Sequence, residues 1–392
     1  MPDVHAELSA SGAKKWLNCA GAKALEKLMP DETSDYAEEG TLAHSLGEAK
    51  IKYELRQIRK PTYAKEVEKI KSNALYSEEM NEHTEGYKDY VIELVNFYKQ
   101  KGDVLVEVEK RIDFSEYVPE GFGTGDICII SNDVLHIVDL KYGKGVKVDA
   151  EHNPQLELYA LGALTEYSCI YDFKSVEMTI YQPRLDNISN WSISPEELIL
   201  WGKNVVKPKA EMAFNETGPC VVGKHCDDGF CKARPICRKY NEHKLDLIEK
   251  FDFKEPKTLN NDEISEVLDI ADSVSKWVNL VKNFALNKAL EGEEIPGYKV
   301  VEGRANRQWG VSEEDVINSI LDDGTLVIDD IAPRRLKTIS ELEKQLGKAK
   351  FSELFKDFIV KPQGKPTLVD FTDKRPQFNS AVNDFKDFIE EE

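Results

Sequence analysis

The chain has 392 residues, with 72 Asp and Glu against 52 Lys and Arg, a formal net charge of −20. That charge excludes a histone-like protein that meets nucleic acid with its whole surface, yet permits an enzyme with a local basic track. An apolar share of 41% supports a sizeable core, a length of this order implies two or three domains, and no window approaches about 18 uninterrupted apolar residues, so no membrane span is expected.

The opening MPDVHAELSASG has no basic segment followed by an apolar one, so no signal peptide is expected and the chain reads as cytoplasmic. Residues 9–28 read as short helical fragments, with Ser9 or Ser11 capping a helix that carries Trp16 and Leu17. Residues 37–58 have helical spacing, with Leu42, Leu46, Ala49 and Tyr53 on one stripe and His44 off it. A third helix spans 77–101. The period then changes: Val104, Val106 and Val108 alternate along a strand at 103–114. Glu107 and Glu109 share its other face and read as solvated, the alternative being a supporting role behind the ligands of a site. Strands at 123–130 and 133–143 flank Asn132-Asp133 and read as a hairpin. A helix follows at 153–166 with Pro154 in its first turn, then a strand at 174–183. A capped helix at 194–214 should end or kink at Pro208. Further helices are expected at 261–292, 311–323 and 340–359, with a boundary near 240–260. The order is α, β, β, β, α, β, an α/β core with extra N-terminal helices and a mainly helical C-terminal extension.

The hairpin carries chemistry. With Asn132-Asp133 as a two-residue turn of positive φ, Ser131 pairs with Val134, and continuing the ladder sets Asp126 opposite Asp139. Their β-carbons would be about 5 Å apart, with Lys141 two residues along the same face. The other residues of that face, Cys128, Ile130, Leu135 and Ile137, are apolar. Paired aspartates on an apolar face repel unless neutralised or bound to a cation, and oxygen-ligated Mg²⁺ would serve. The alternative is a buried Asp–Lys salt bridge with one aspartate solvated at the sheet edge.

The ordered set GTGD (123–126), IVDLK (137–141) and QLELY (155–159), preceded by GTLAH (40–44), resembles the RecB-like branch of the PD-(D/E)XK nucleases over about residues 9–240. The resemblance implies a restriction-endonuclease-like αβββαβ fold with a mixed sheet. It implies that Asp126, Asp139, the Leu140 carbonyl and His44 hold Mg²⁺ or Mn²⁺. Lys141 would position the attacking water, and Gln155 and Tyr159 would contact the DNA strand.

Seven cysteines stand at 19, 128, 169, 220, 226, 231 and 237. Cys128 and Cys169 lie in apolar stretches and read as buried small hydrophobes. The clustered ones suggest a metal site. Cys19 ahead of the core and Cys226, Cys231 and Cys237 behind it resemble the iron–sulfur members of the same branch, namely helicase–nuclease subunits and CRISPR-associated adaptation nucleases. SxSxxxxWLNC (9–19) is also similar to a phage and prophage group of such nucleases. This implies a [4Fe–4S] cluster on Cys19, Cys226, Cys231 and Cys237. The first gap of the trio is longer than the family's usual one, which leaves Cys220 as a substitute ligand. A structural Zn²⁺ on the four later cysteines, or one using His225, is the alternative.

The division expected is a nuclease domain at 1–245 and an α-rich region at 246–392. In the latter, Lys299, Arg304, Arg307 and Trp309 suit either single-strand contacts or an ordinary solvated turn. Residues 203–239 carry eight Lys or Arg against four acids, and residues 370–392 seven acids against three bases. The expected function is a Mg²⁺-dependent DNA nuclease, an exonuclease of phage-type recombination, replication or end processing. It would act on single-stranded DNA or duplex ends, with a single-strand annealing protein or a helicase as partner and no membrane. The competing readings are a non-catalytic DNA-binding module with a nuclease fold and a zinc-stabilised interaction protein. No P-loop motif occurs, so no helicase motor is expected in this chain.

Overall fold

A computed structural model describes residues 6–30, 35–249, 260–301 and Gly347. The chain divides into two compact units, Met1–Val300 and Val301–Glu392. The helices expected at 311–323 and 340–359, together with Arg304, Arg307, Trp309 and the acidic tail, lie outside the described residues. The boundary expected at 240–260 falls largely on residues 250–259, which also lie outside them.

Two short helices, α1 (Ala13–Trp16) and α2 (Ala22–Glu26), precede α3 (Asp35–Glu54), α4 (Lys60–Lys71) and α5 (Glu78–Lys99). Strands β1 (Leu105–Asp113), β2 (Phe122–Ile130) and β3 (Val134–Leu140) follow, then α6 (Pro154–Tyr167), β4 (Ser175–Gln182) and β5 (Asn187–Ile193). The five strands lie in sequence order in one sheet, with β3 and β4 parallel and the other neighbours antiparallel. The expected α/β class and αβββαβ order are therefore present. Helix α4 and strand β5 add to them: α4 buries only Ile70, and β5 is a polar edge strand.

Alternation along the strands splits the core. Ile127, Ile129, Val138 and Leu140 pack with Tyr87, Val91 and Val95 of α5 and Ile51 of α3. Cys128, Ile130, Leu135, Ile137, Val176 and Met178 pack with the apolar residues of α6. The β2–β3 register is the expected one, Ile130↔Leu135 through Ile127↔Val138. The turn is not. Neither Asn132 nor Asp133 has a positive φ. The N–H and Oγ of Ser131 both donate to Val134 O at 3.0 Å, and Asp133 O accepts from Lys174 N at 2.8 Å. The turn is thus held from both sides rather than by left-handed backbone.

Pro208 does not end its helix. After α7 (Pro195–Trp201) the chain widens into a π-turn at Gly202–Val206, and α8 (Lys207–Phe214) begins with Pro208 in its first turn. The missing proline N–H thus falls where a wider turn already breaks the regular ladder. Helices α9 (Lys224–Asp228), α10 (Arg238–Glu249) and α11 (Asn261–Leu290) complete the described part. Trp277 Nε1 of α11 donates to Asn241 Oδ1 of α10 at 2.7 Å. Among the described residues no helix is long and apolar enough to cross a membrane.

Candidate functional site

The sheet brings three carboxylates into a row. The β2–β3 ladder runs to Ile127↔Val138, and the next residue of each strand is Asp126 and Asp139, close enough for their charges to act on one another. On the other side, Val108↔Ile127 and Lys110↔Gly125 place Glu109 opposite Asp126. Glu109 has a φ of 52°, a left-handed conformation uncommon for a side-chain-bearing residue in a strand. Its carboxylate, that of Asp126 and a ring nitrogen of His44 all lie within 4.8 Å of one another. Glu109 is therefore not the solvated strand residue expected. The sequence carried no signal for it, because the loop joining β1 to β2 is too long to fix a register.

Each side chain is held by a different element. His44 projects from α3, and its Nδ1 stands 3.1 Å from Asp126 Oδ1. Leu140 N donates to Asp126 Oδ2 at 2.7 Å. Lys141 Nζ donates to Gln155 Oε1 at 2.7 Å, and Gln155 Nε2 donates to Asp139 Oδ1 at 3.0 Å. Gln155 is fixed by the cap of α6, where Asn153 Oδ1 accepts its N–H at 3.1 Å. Tyr159, one turn on, is buried over the start of β2. A β-carbon at Gly123 would stand 2.8 Å from Tyr159 Cε1, so the GTG segment is glycine-rich to admit this ring. The structure brings together His44, Asp126, Asp139, Lys141 and Gln155, with Tyr159 beneath them.

The charges are strained. Burial opposes protonation of His44, but the Asp126 carboxylate overrides it and pushes the imidazole up to about 9. Burial would raise Asp126, yet His44 and the Leu140 N–H hold it below the usual range. Burial raises Asp139, with Lys141 opposing and Asp126 adding to the rise. Burial, then Asp126, drive Glu109 up to about 8. Asp139 Oδ2 is buried and faces the Lys141 ammonium at 2.8 Å. A buried carboxylate with a lysine as counter-charge, beside two further carboxylates, fits a hard divalent cation.

Glu157, on α6 between Gln155 and Tyr159, is buried, and burial alone pushes it up to about 7. Its folded value lies above the ordinary 4.5, so it costs nothing below about pH 4.5. The cost grows as pH rises and is complete above pH 7. Glu157→Gln is expected to stabilise the protein by up to about 3 kcal/mol at pH 8 and by nothing at pH 4, as read by thermal melts at both.

The second constellation lies between the N-terminal helices and residues 217–240. Cys19, Cys220, Cys226, Cys231 and Cys237 all line one small cavity of about 20 Å³. Close backbone contact closes it: Gly21 N donates to Pro219 O at 3.1 Å, and a β-carbon at Gly218 would stand 2.2 Å from Ala20 Cβ. Val221 N donates to Cys19 Sγ at 3.3 Å. Asp227 secures the far wall, accepting from Tyr240 OH at 2.7 Å and Arg234 Nη1 at 3.0 Å. Burial, then the neighbouring thiols, push Cys220 up to about 11. Burial raises Cys231 to about 12 and also raises Cys226. His225, the other zinc candidate, has its Nε2 2.9 Å from Val221 O. Cys128 is buried in β2 as expected, but Cys169 is exposed. It follows the end of α6, where the apolar stretch turns out to solvent.

Comparison with solved structures finds that of SSO0001, at 15% identity and a TM-score of 0.24 over 56% of this chain and 94% of that one. That likeness is too weak to carry an argument. The profile of the family described as "Protein of unknown function (DUF2800)" matches residues 5–376. Spanning nearly the whole sequence, this match shows that the chain belongs to the DUF2800 family.

Proposed function

We propose that the protein is a Mg²⁺- or Mn²⁺-dependent DNA nuclease of the PD-(D/E)XK superfamily, RecB-like branch, which hydrolyses phosphodiester bonds as an exonuclease in phage-type recombination or DNA-end processing. The observation that carries the reading is the cluster of His44, Glu109 and Asp126 within 4.8 Å of one another, with the buried Asp139–Lys141 pair beside it. His44, Glu109, Asp126 and Asp139 would hold the cation, with the Leu140 carbonyl beside them. When bound, the cation supplies Lewis-acid polarisation of the phosphate and a more acidic water. Lys141, tethered by Gln155, stabilises negative charge on the phosphoryl oxygens and orients the nucleophile. Gln155 keeps Asp139 and Lys141 at fixed separation, and Tyr159 supports the strand on which Asp126 sits.

The cysteine cavity supports a structural [4Fe–4S] cluster held by Cys19, Cys226, Cys231 and Cys237, with Cys220 as the substitute ligand.

The test incubates end-labelled single-stranded and duplex DNA with anaerobically purified protein and Mg²⁺ or Mn²⁺. Shortening from the ends that stops on chelation is expected. Cleavage that persists undiminished in Asp139→Ala would remove the assignment.

A further inference from the structure

A groove of about 630 Å³ is lined at once by Lys141 and Gln155, by Trp201 and Lys209 of α7 and α8, and by Lys14 and Phe230 from the two sides of the cysteine region. Phe230 is the unusual member. Helix α9 closes with Cys231 N donating to Cys226 O and Phe230 N donating to Asp227 O, each at 3.1 Å. This paired closure puts the residue at position 230 in the left-handed region, where glycine is the usual choice. Phe230 occupies it with a φ of 47°, while Gly229 just before it has a φ of −90°. The ring is 71% exposed and belongs to none of the buried apolar clusters. A bulky residue at such a position carries backbone strain that a glycine would not, and the exposed ring returns no core packing.

We propose that Phe230 is a base-stacking residue, and that the groove takes an unpaired strand of DNA with one base laid on this ring while a phosphate reaches Lys141. The proposal rests on the nuclease reading and names its substrate class. Charge alone would hold a strand weakly here: the lining lysines Lys14, Lys141, Lys147 and Lys209 are matched by Asp149, Glu151, Glu157 and Asp228, with Lys14 3.5 Å from Asp228 and Lys147 3.3 Å from Asp149. Stacking adds affinity that the balanced charge does not supply, and it needs a base face that duplex pairing hides.

The test measures binding of fluorescein-labelled oligothymidylate, and of a duplex of equal length, to the full chain without divalent cation. Phe230→Ala is expected to weaken oligothymidylate binding by about 5- to 150-fold and leave the duplex unchanged, while Phe230→Trp retains binding. The salt dependence should keep its slope, because a stacked ring releases no counterions. Phe230→Gly should also lose binding yet melt at a higher temperature. The proposal is overturned if Phe230→Ala or Phe230→Leu binds like wild type, if duplex affinity falls in parallel, if the salt slope changes, or if Phe230→Gly melts lower. Wild type that cleaves DNA while Phe230→Ala keeps full affinity overturns this proposal alone. Wild type that binds neither nucleic acid overturns the nuclease reading with it.

Discussion

Asp139→Asn is expected to lower DNA cleavage by about 10³-fold or more while leaving the metal-free protein at least as stable as wild type at pH 8. The two effects have one cause. Asp139 is buried beside Asp126, and its folded pKa is raised. Stability attributable to it is therefore full at low pH and is lost as pH rises through that raised value. An asparagine keeps the shape and the bond from Gln155 and removes the charge that repels Asp126. It gives up the pair with Lys141, which keeps its bond to Gln155, and the raised pKa of Asp139 says that burial and Asp126 outweigh that pair. The substitution also removes the anionic oxygen that a cation would meet. Lys141→Met should act differently. It leaves Asp139 and Gln155 without their cation, so activity and melting temperature should fall together. An Asp139→Asn protein that melts well below wild type at pH 8 would show that the carboxylate pair is a structural ion-pair network. Equal cleavage rates would show that the site is not catalytic.

How far the site could be seen in advance followed from chain connectivity. Asp126 and Asp139 are separated by a two-residue turn, and so short a link leaves one register. The expected ladder is present as far as Ile127↔Val138 even though Asn132 and Asp133 do not adopt the expected positive φ. Glu109 reaches the same row through a strand whose link to β2 runs from Phe114 to Gly121, too long for sequence to fix the pairing. Its participation also depends on a left-handed backbone that no pattern of residue types announces. Strand β5 escaped notice because its side chains alternate between half-buried and exposed, with Ile188 facing out, so it has no apolar period to detect. Helix α4 escaped for the same reason, with Ile70 its lone buried residue. The π-turn at 202–206 shows the converse: Pro208 was a true signal of irregularity, but the chain absorbed it one turn earlier. Cys220 could be flagged by proximity in sequence, whereas its place on the cavity wall with Cys19 depends on the close approach at Gly21 and Gly218.

The second large effect is expected in the cysteine region. Cys19 and Cys237 lie more than 200 residues apart yet line one cavity, so an inorganic centre bound to both would close a loop that takes in the whole αβββαβ core. Closing a loop of that length removes about 5 kcal/mol of chain entropy from the unfolded state, before any ligand bond is counted. Anaerobically purified wild type should be brown, with iron and sulfide in equal amounts. Cys231→Ala should be colourless, melt at least about 10 °C lower, and be cut by protease in both 6–30 and 217–249, because the same centre anchors both segments. Cys19→Ala should free the N-terminal segment most. Cys169→Ala, whose thiol is exposed and remote from the cavity, should match wild type in colour and melting temperature. If the protein is colourless and carries stoichiometric zinc, the staple survives as an idea but its chemistry changes. If Cys231→Ala and Cys19→Ala melt like wild type, the five cysteines share a cavity without sharing a metal, and the two ends of the core are joined by direct contacts such as those at Gly21 and Gly218, Lys232 N to Glu26 and Lys27 to Glu216.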